Sequence, residues 1–254
     1  KIDMDNVWME DNNGDTLAFA SRISVRISDL SLRKRQLDIG LLTLNHFNLF
    51  LQKDSIGTSN IDFLTRISRK DTLQNNPWKV TCTSFRLKNS GFNYENGNAD
   101  TLHYAVSDLN FRIDQFRYSP DSINFRLVSL TLADSKGFFL TDLSADFQHN
   151  PLTTTIANIN LETLHSQMKN ARLAFTRDTT AGERPATELN LSLRDANISL
   201  ADLAYFIPGL AGMDQKFLVS GDIDGNLSNL KARNMIITTG KNTRINCELS
   251  LSIF

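Results

Sequence analysis

The amino-acid sequence predicts an all-β protein, and three observations support that prediction. Apolar and polar residues alternate over most of the chain, turn-forming residues separate the alternating runs, and helical patterns are few. The alternation is regular in ISVRI (23–27), LNFRI (109–113), LNLSL (189–193) and INCELSLSI (245–253). A period of two places successive side chains on opposite faces, so each run is predicted to be a strand with one apolar and one polar face.

The segments between these runs have the composition of tight turns. Glycine, asparagine and aspartate adopt the left-handed or locally hydrogen-bonded backbone that such turns need. These residues are concentrated in EDNNGD (10–15), KDSIG (53–57), ENGNAD (95–100), ADSKG (133–137), TAGERP (180–185) and SGDIDGN (220–226). Predicted strands therefore recur roughly every 10 to 15 residues, which is typical of an antiparallel all-β fold.

Helical signals are confined to two short stretches, a weaker turn in NIDFLTRISRK (60–70) and a stronger one in SLADLAYFIPGL (199–210). In the stronger stretch we expect a cap at Ser199, an acidic third helical position at Asp202, one apolar side with Leu203 and Phe206, and a stop at Pro208 and Gly209. Two short helices cannot cover a dozen strands. The sheet must therefore curl over on itself, pack on a second sheet or shelter another molecule.

The apolar parity slips by one residue at two places, between Ile113 and Phe116 and between Leu127 and Val128. Such a slip indicates a β-bulge or a sharp bend, by which a sheet curls. Together with the scarcity of helix, the slips predict a long curled antiparallel sheet, a repeating groove of the β-taco form, with one or two short helices.

One unit of sequence recurs. Residues 15–27 (DTLAFASRISVRI) match residues 100–113 (DTLHYAVSDLNFRI) when one extra residue is allowed after the shared alanine, and TDLSADF (141–147) is a fainter third copy. Repetition of this kind is typical of stacked units. We expect residues 1–254 to be a single segment of a repeating groove within a longer protein, and the best candidate for a domain boundary is the loop at 178–187.

Charge and cysteine content argue against several classes of function. The 27 basic and 28 acidic residues nearly cancel, so nucleic acid is not an expected partner. Cys82 and Cys247 are far apart and form no CxxC. This favours two buried free thiols, with one bridge between them as the alternative, over a zinc site or a disulfide framework. No apolar run approaches the roughly 18 residues of a spanning helix, and no signal peptide precedes the first strand.

The common catalytic and metal-binding motifs do not occur in the sequence, among them GxSxG, HExxH, GxGxxG and the P-loop. The histidines stand apart, as surface or strand-edge residues do: His46, His103, His149 and His165. Asp222 and Asp224 have calcium-loop spacing, but Leu227 occupies the position where an EF-hand loop needs glycine, so a plain turn is favoured. No enzymatic activity, catalytic residue, metal or cofactor is therefore predicted.

The basic run at 33–35 and the high phenylalanine content each have two possible interpretations. The basic run at 33–35 fits a solvated hairpin tip better than a contact with anionic lipid headgroups. The 16 phenylalanines, against four tyrosines and two tryptophans, fit an ordinary core. They fit equally well an apolar surface that suits an acyl chain because it offers few polar groups.

The stretch VWMEDNNGDTLAFASRISVRISDLSLRKRQLDIGLLTLNHFNLFLQKD (7–54) resembles the AsmA-like and TamB proteins of Gram-negative bacteria, particularly their Bacteroidota branch. LNLSLRDANISLADLAYFIPGL (189–210) and FLVSGDIDGNLSNLKARNMIITTG (217–240) are similar to a later pattern of that family, in which a strand and a short helix precede further strands. The resemblance covers nearly the whole chain. Its motifs are patterns of residue types rather than invariant residues, and the chain contains no segment like the family's N-terminal anchor helix.

The resemblance implies a segment of a periplasmic bridge whose apolar groove carries phospholipid between the inner and outer membranes. The implied partners are phospholipid acyl chains and an outer-membrane barrel protein of the BamA-like class, and the full-length protein would be anchored at the inner membrane. An alternative is a module that binds incoming β-strands and assists outer-membrane protein assembly or translocation. A third hypothesis is a ligand-free structural β-sandwich.

The predicted lining of the groove follows from the alternation. In a lipid-carrying groove the contacts would be apolar and repeated, with no catalytic residue. The predicted lining residues are Ile23, Val25, Ile27, Leu109, Phe111, Ile113, Leu143, Phe147, Leu249 and Leu251. In a closed sandwich the same side chains would interdigitate.

Overall fold

The computed structural model describes residues 1–54, 57–62, 77–97, 102–178, 186–226 and 228–252. Thirteen strands, in the order of the chain, form one mixed sheet, with β1 and β13 at its edges. The strands are β1 (Ile2–Glu10), β2 (Thr16–Ser31), β3 (Gln36–Lys53), β4 (Lys79–Asn96), β5 (Leu102–Ser119), β6 (Ser122–Asp134), β7 (Phe139–His149), β8 (Thr153–Thr163), β9 (Gln167–Asp178), β10 (Ala186–Ser199), β11 (Lys216–Asn226), β12 (Asn229–Thr239) and β13 (Thr243–Ser252). The predicted all-β class is confirmed.

The chain forms two compact units. The first unit comprises residues 1–120 and 129–139, and the second comprises residues 121–128 and 140–254, so that β6 contributes to both. In the first unit the strands β1–β5 pair in the order of the chain, and in the second unit β7–β13 do so. The candidate boundary at 178–187 lies mostly outside the described residues.

One pair departs from the antiparallel arrangement that the sequence predicts. Strands β3 and β4 run parallel, with Leu37 opposite Val80 and Leu49 opposite Phe92. Parallel neighbours need a connection of a dozen or more residues, and residues 54–78 supply it. The expectation of an entirely antiparallel sheet is therefore wrong at this pair, because a long connection returns the chain to the end at which β3 began.

Three predicted turns share one geometry. In each, the N–H of a glycine donates to the carbonyl of an aspartate three residues earlier, in the pairs Gly14–Asp11, Gly57–Asp54 and Gly137–Asp134. These glycines have φ between 84° and 92°, a conformation that suits a residue without Cβ. The turn prediction is wrong for residues 220–226, which lie within β11. Most of 95–100 and 180–185 lies outside the described residues.

The predicted helix at 199–210 is much shorter than its pattern suggests. Helix α1 spans Leu200–Leu203, and a separate 3-10 helix spans Pro208–Leu210. Ser199 caps α1 as predicted, because its hydroxyl accepts from the N–H of Ala201 at 3.3 Å. Phe206 is 65% exposed and lies beyond α1, so the predicted apolar side is wrong. The weaker turn at 60–70 lies mostly outside the described residues.

A polar cluster lies beside the first turn of α1. Asp202 accepts hydrogen bonds from the hydroxyls of Thr163 and Ser166, and the N–H of Ser199 donates to Ser166 at 2.9 Å. Thr163 and Ser199 are buried. The side chain of Asp202 is thus committed to the turn between β8 and β9, which fixes the first turn of the helix against the sheet.

Register shifts in six of the described strands coincide with a residue in the left-handed conformation. For example, Leu87 pairs with Phe111 and Ser90 with Leu109, so β4 has one residue more than β5 between these pairs. The left-handed residues are Asn89 (φ 48°), Asp108 (φ 50°), Asn158 (φ 52°), Asn170 (φ 52°), Asp195 (φ 49°) and Asn234 (φ 52°). Asparagine and aspartate tolerate this conformation better than most residues. Each bulge reverses which face the following side chains point to. The apolar pattern of the sequence slips by one residue at the same place, so the apolar residues stay on one face.

Asparagine side chains hold these bulges in place. Asn110 donates from Nδ2 to the carbonyl of Asp108 at 2.7 Å, and its Oδ1 accepts from the N–H of Asn89 at 2.8 Å. In the second unit, Asn160 donates to the carbonyl of Asn158 and accepts from the N–H of Asn170, both at 3.1 Å. One amide therefore satisfies backbone groups that two neighbouring bulges remove from the ladder.

At the first of the two predicted parity slips, Gln115 has φ 57° between Ile113 and Phe116. The register of β4 and β5 does not shift there, so a bulge or sharp bend at this place stays a prediction. The second, between Leu127 and Val128, stays a prediction.

The left-handed position in β8 can be tested with two substitutions at one residue. We expect Asn158→Val to be less stable than Asn158→Gly by about 1–2 kcal/mol, since a β-branched residue is strained at this φ and glycine is not. Both variants lose the hydrogen bond from Asn158 to Asp146, so the difference between their free energies of unfolding reports the backbone strain alone. Urea unfolding measures both free energies. In a regular extended strand, valine would be the more stable of the two, and that order would contradict the bulge.

Candidate functional site

Strands β1–β5 place their apolar residues in continuous rows. Directly paired residues share a face of a sheet, and residues two apart on a regular strand share it as well. Two adjacent rows are Met4, Ile23, Leu44, Leu87 and Phe111, and Ile2, Val25, Leu42, Phe85 and Ile113. The rings of Phe85 and Phe111 are in edge contact, with centroids 4.9 Å apart. We call this surface the apolar face of the first unit.

The predicted residues of the first unit lie on this face. Ile23, Val25, Phe111 and Ile113 belong to the two rows, Leu109 is two residues from Phe111, and Ile27 is paired with Ile39 one step further along β2. The structure also adds residues that sequence reasoning missed, on β3 and β4. A signal for those on β3 was present in LLTLNHFNLFL (41–51), where Leu44 and Phe47 are three residues apart instead of two. His46 lies between them and has φ 46°.

The second unit has a corresponding surface. Leu143 pairs with Leu161, Phe147 with Ile156, and Leu249 with Ala232. The backbone of Leu251 pairs with Leu230, although its side chain lies outside the described residues. From β7 to β13 the face is lined by leucine, isoleucine, alanine, phenylalanine and methionine. This surface is the apolar face of the second unit.

The predicted lining side chains that the structure describes on both faces are only partly buried, whereas Leu87, Ala171 and Met235 on the same faces are buried. Ile23, Val25 and Phe111 are half-buried, Ile27 is 41% exposed and Leu249 is 57% exposed. The interior of a closed sandwich would bury such residues almost completely. Within each unit, therefore, the described residues provide no second layer that covers the apolar face.

Charged side chains are almost absent from these faces. Among the described side chains of β1–β5, only Lys53, at the end of β3, is charged and on the apolar side by register. Among those of β7–β13, only His149 and Arg177 are basic or acidic and on that side, both at strand ends. These end residues were not predicted as site residues. The parity of the alternating runs could have identified them.

The opposite face carries the ion pairs. Arg112 lies 2.6 Å from Asp114, Arg126 2.8 Å from Asp146 and Arg194 2.9 Å from Asp222. Exposed pairs of this kind contribute little to stability. Their position matters more, because the ion pairs lie on the polar face and leave the apolar face almost without charge.

The two aspartates with calcium-loop spacing take part in this pattern. Asp222 pairs with Arg194, and Asp224 lies 3.3 Å from Arg233. The predicted plain turn is wrong, because both residues lie within β11 on its polar side. In the described part of the chain, no cluster of three or more histidine, cysteine, aspartate or glutamate residues could hold a metal ion.

The remaining candidates occupy ordinary positions. His46, His149 and His165 are exposed, as the surface interpretation expects, and the side chain of His103 lies outside the described residues. Both cysteines are free, with Cys82 buried and Cys247 half-buried. Burial raises the pKa of the Cys82 thiol. The basic run at 33–35 lies in the turn between β2 and β3, as predicted. No helix among the described residues is long and apolar enough to span a membrane.

Acid should weaken the polar face at Asp222. The Ser192 hydroxyl, which donates at 2.8 Å, and the Arg194 guanidinium lower the pKa of this carboxyl below its usual value of 3.8. A lowered folded-state pKa stabilises the protein above pH 3.8, and this stabilisation is lost as the pH falls through the folded value. We expect Asp222→Asn to lose less stability than the wild type between neutral pH and a pH below 3.8, measured by urea unfolding. Equal losses would contradict this role.

Comparison with known proteins does not identify a family for this chain. No model of a known protein family matches the sequence, and no curated protein matches it. The resemblance to the AsmA-like and TamB proteins therefore stays a prediction that depends on the pattern of residues.

Proposed function

We propose that this chain is a segment of a lipid-carrying bridge, and that its apolar faces receive phospholipid acyl chains. The observation that carries the proposal is the combination of continuous apolar rows, partial exposure and almost no charge on the same surface. Apolar surface of this kind marks a site for another apolar molecule. The resemblance places such a segment in the periplasm, in a protein anchored at the inner membrane.

The energetics suit a sliding occupant. Burial of one methylene contributes about 0.8 kcal/mol, so an acyl chain that loses the water around ten methylenes gains roughly 8 kcal/mol in total. The gain is divided among many similar contacts. A chain that moves one row along the face exchanges equivalent contacts, and little net free energy opposes its movement.

A second candidate function is strand binding at a sheet edge. Strands β1 and β13 each have a neighbour on one side only, and Ile245 and Leu249 of β13 are 47% and 57% exposed. An incoming strand could pair with such an edge through backbone hydrogen bonds. This module would bind unfolded segments of outer-membrane barrel proteins and carry no lipid.

The first experiment is purification without detergent, followed by native mass spectrometry and lipid extraction. Under the bridge proposal we expect bound phospholipid in more than trace amounts. A lipid-free mass that persists after incubation with phospholipid vesicles would contradict the proposal. Capture of barrel peptides by that lipid-free protein would favour strand binding, and failure to capture them would favour a structural sheet.

Two substitutions on adjacent residues of β13 test which face takes part. Leu249 lies on the apolar face and Ser250 on the opposite face, and both are exposed. We expect Leu249→Asp to reduce the phospholipid bound per protein severalfold, because a carboxylate must lose its water where acyl chains lie. Ser250→Asp introduces the same charge on the same strand and should leave the bound phospholipid unchanged. Unfolding by urea verifies that both variants fold, and an equal lipid load in the two would contradict the assignment.

A further inference from the structure

One end of the apolar face of the second unit contains a depression with polar and basic side chains. An open depression of about 350 Å³ lies where β7, β9 and β10 meet the turn between β7 and β8. Its lining includes His149, Asn150, Thr154, Phe175, Arg177 and Thr187. We call this depression the rim site. Its volume is in the lower range of small-molecule sites.

The wall of the rim site is held by an asparagine-centred turn. Asn150 Oδ1 accepts from the N–H groups of Leu152 and Thr153, both at 2.9 Å, and its Nδ2 donates to the Thr153 hydroxyl at 2.8 Å. The N–H of Arg177 donates to the carbonyl of Leu152 at 2.8 Å, which ties the turn to β9. The site is therefore shaped before any ligand arrives, which limits the entropy lost on binding.

The polar groups of the rim site are mainly hydrogen-bond donors. Arg177 supplies a guanidinium, and Thr154 and Thr187 supply hydroxyls. The ring nitrogen Nδ1 of His149 lies 2.8 Å from Oγ1 of Thr154, so this contact fixes the orientation of the imidazole. No described carboxylate forms an ion pair with Arg177. A fork of N–H donors beside hydroxyls matches the several acceptor oxygens of a phosphate.

The floor of the rim site leads directly onto the apolar face. Phe175 pairs with Thr154 on one side and with Leu189 on the other, and the next row contains Ile156, Leu173 and Leu191. From this row onward the face carries no charge in the described side chains of β8–β10. A phosphate held at Arg177 would therefore lie at the end of an uncharged apolar surface. The ligand that satisfies both parts has a phosphate at one end and an acyl chain at the other.

We infer that the rim site binds the phosphate of a phospholipid whose acyl chains lie on the apolar face of the second unit. This inference rests on the proposed function and adds to it a fixed position for the headgroup. Arg177 recognises the phosphate, His149 and the two threonines supply further polar contacts, and Phe175 begins the acyl path.

The test uses Arg177→Gln with Arg172→Gln as its matched control. Both arginines belong to β9 and both are exposed, but Arg172 pairs with Ser192 on the polar side, whereas Arg177 pairs with Thr187. Isothermal titration of the full 254-residue chain with dihexanoyl phosphatidic acid gives the affinity. We expect Arg177→Gln to weaken binding about tenfold or more, because a charge-assisted contact is lost. Arg172→Gln should bind as the wild type does, and Thr187→Val should bind more weakly.

Two further ligands distinguish the possible sources of the anion. Inorganic phosphate should bind far more weakly than the lipid, and 1-hexanol, which has an alkyl chain but no anionic group, should be insensitive to Arg177→Gln. Phosphate that binds as tightly as the lipid would overturn the inference in favour of a simple anion site. Equal lipid affinity of Arg177→Gln and the wild type would overturn the inference alone. Failure of the wild type to bind any lipid would instead overturn the proposed function.

Discussion

The constraint on which the structure depends is the period of two in strands as long as 18 residues. Twist requires such strands to bend, and the bulges that allow bending each shift the alternation by one. Unless the sequence shifts with it, a bulge sends every later apolar residue to the wrong face. Here the sequence compensates at each bulge, as where Ile156 and Ile159 flank Asn158 in β8. The apolar face stays continuous because the bulge and the hydrophobic pattern shift together.

Separation of charge from apolar surface follows from this constraint. Because the alternation is restored after each bulge, arginines and aspartates such as Arg194 and Asp222 meet on the polar face. In the described residues, the apolar faces are left without a covering layer and carry basic side chains only at strand ends, at Lys53, His149 and Arg177. In the proposed function this separation has a direct use, since a single buried charge would oppose an acyl chain more strongly than several methylenes would favour it.

The sequence predicts much of this arrangement and misses some of it for physical reasons. Alternation at Ile23 and Val25 identifies the face because it depends only on local geometry. The parallel pairing of β3 with β4 could not be predicted, since it depends on the path of a long connection with no regular pattern. Helix α1 ends at Leu203, earlier than the local pattern predicts, and the contacts of Asp202 with Thr163 and Ser166 that hold its first turn are tertiary and do not show in the pattern. The three-residue spacing around Asn158 was available in the sequence, but its meaning depends on a left-handed residue that alternation alone does not reveal.

A uniform apolar surface binds an acyl chain but does not determine where along the surface the chain lies. If every row offers the same methylene contacts, an acyl chain is held but not placed, and nothing defines where it enters or leaves. The proposed rim site breaks this uniformity, because no other row among the described side chains of that face carries a basic residue such as Arg177 or His149. Charge-assisted hydrogen bonds contribute about 1.5–3 kcal/mol, which corresponds to roughly a ten- to hundredfold preference for one position. Such a preference is large enough to define one preferred position for the lipid on the face. It is small beside the total burial energy of an acyl chain, so the lipid can still leave this position and slide along the face.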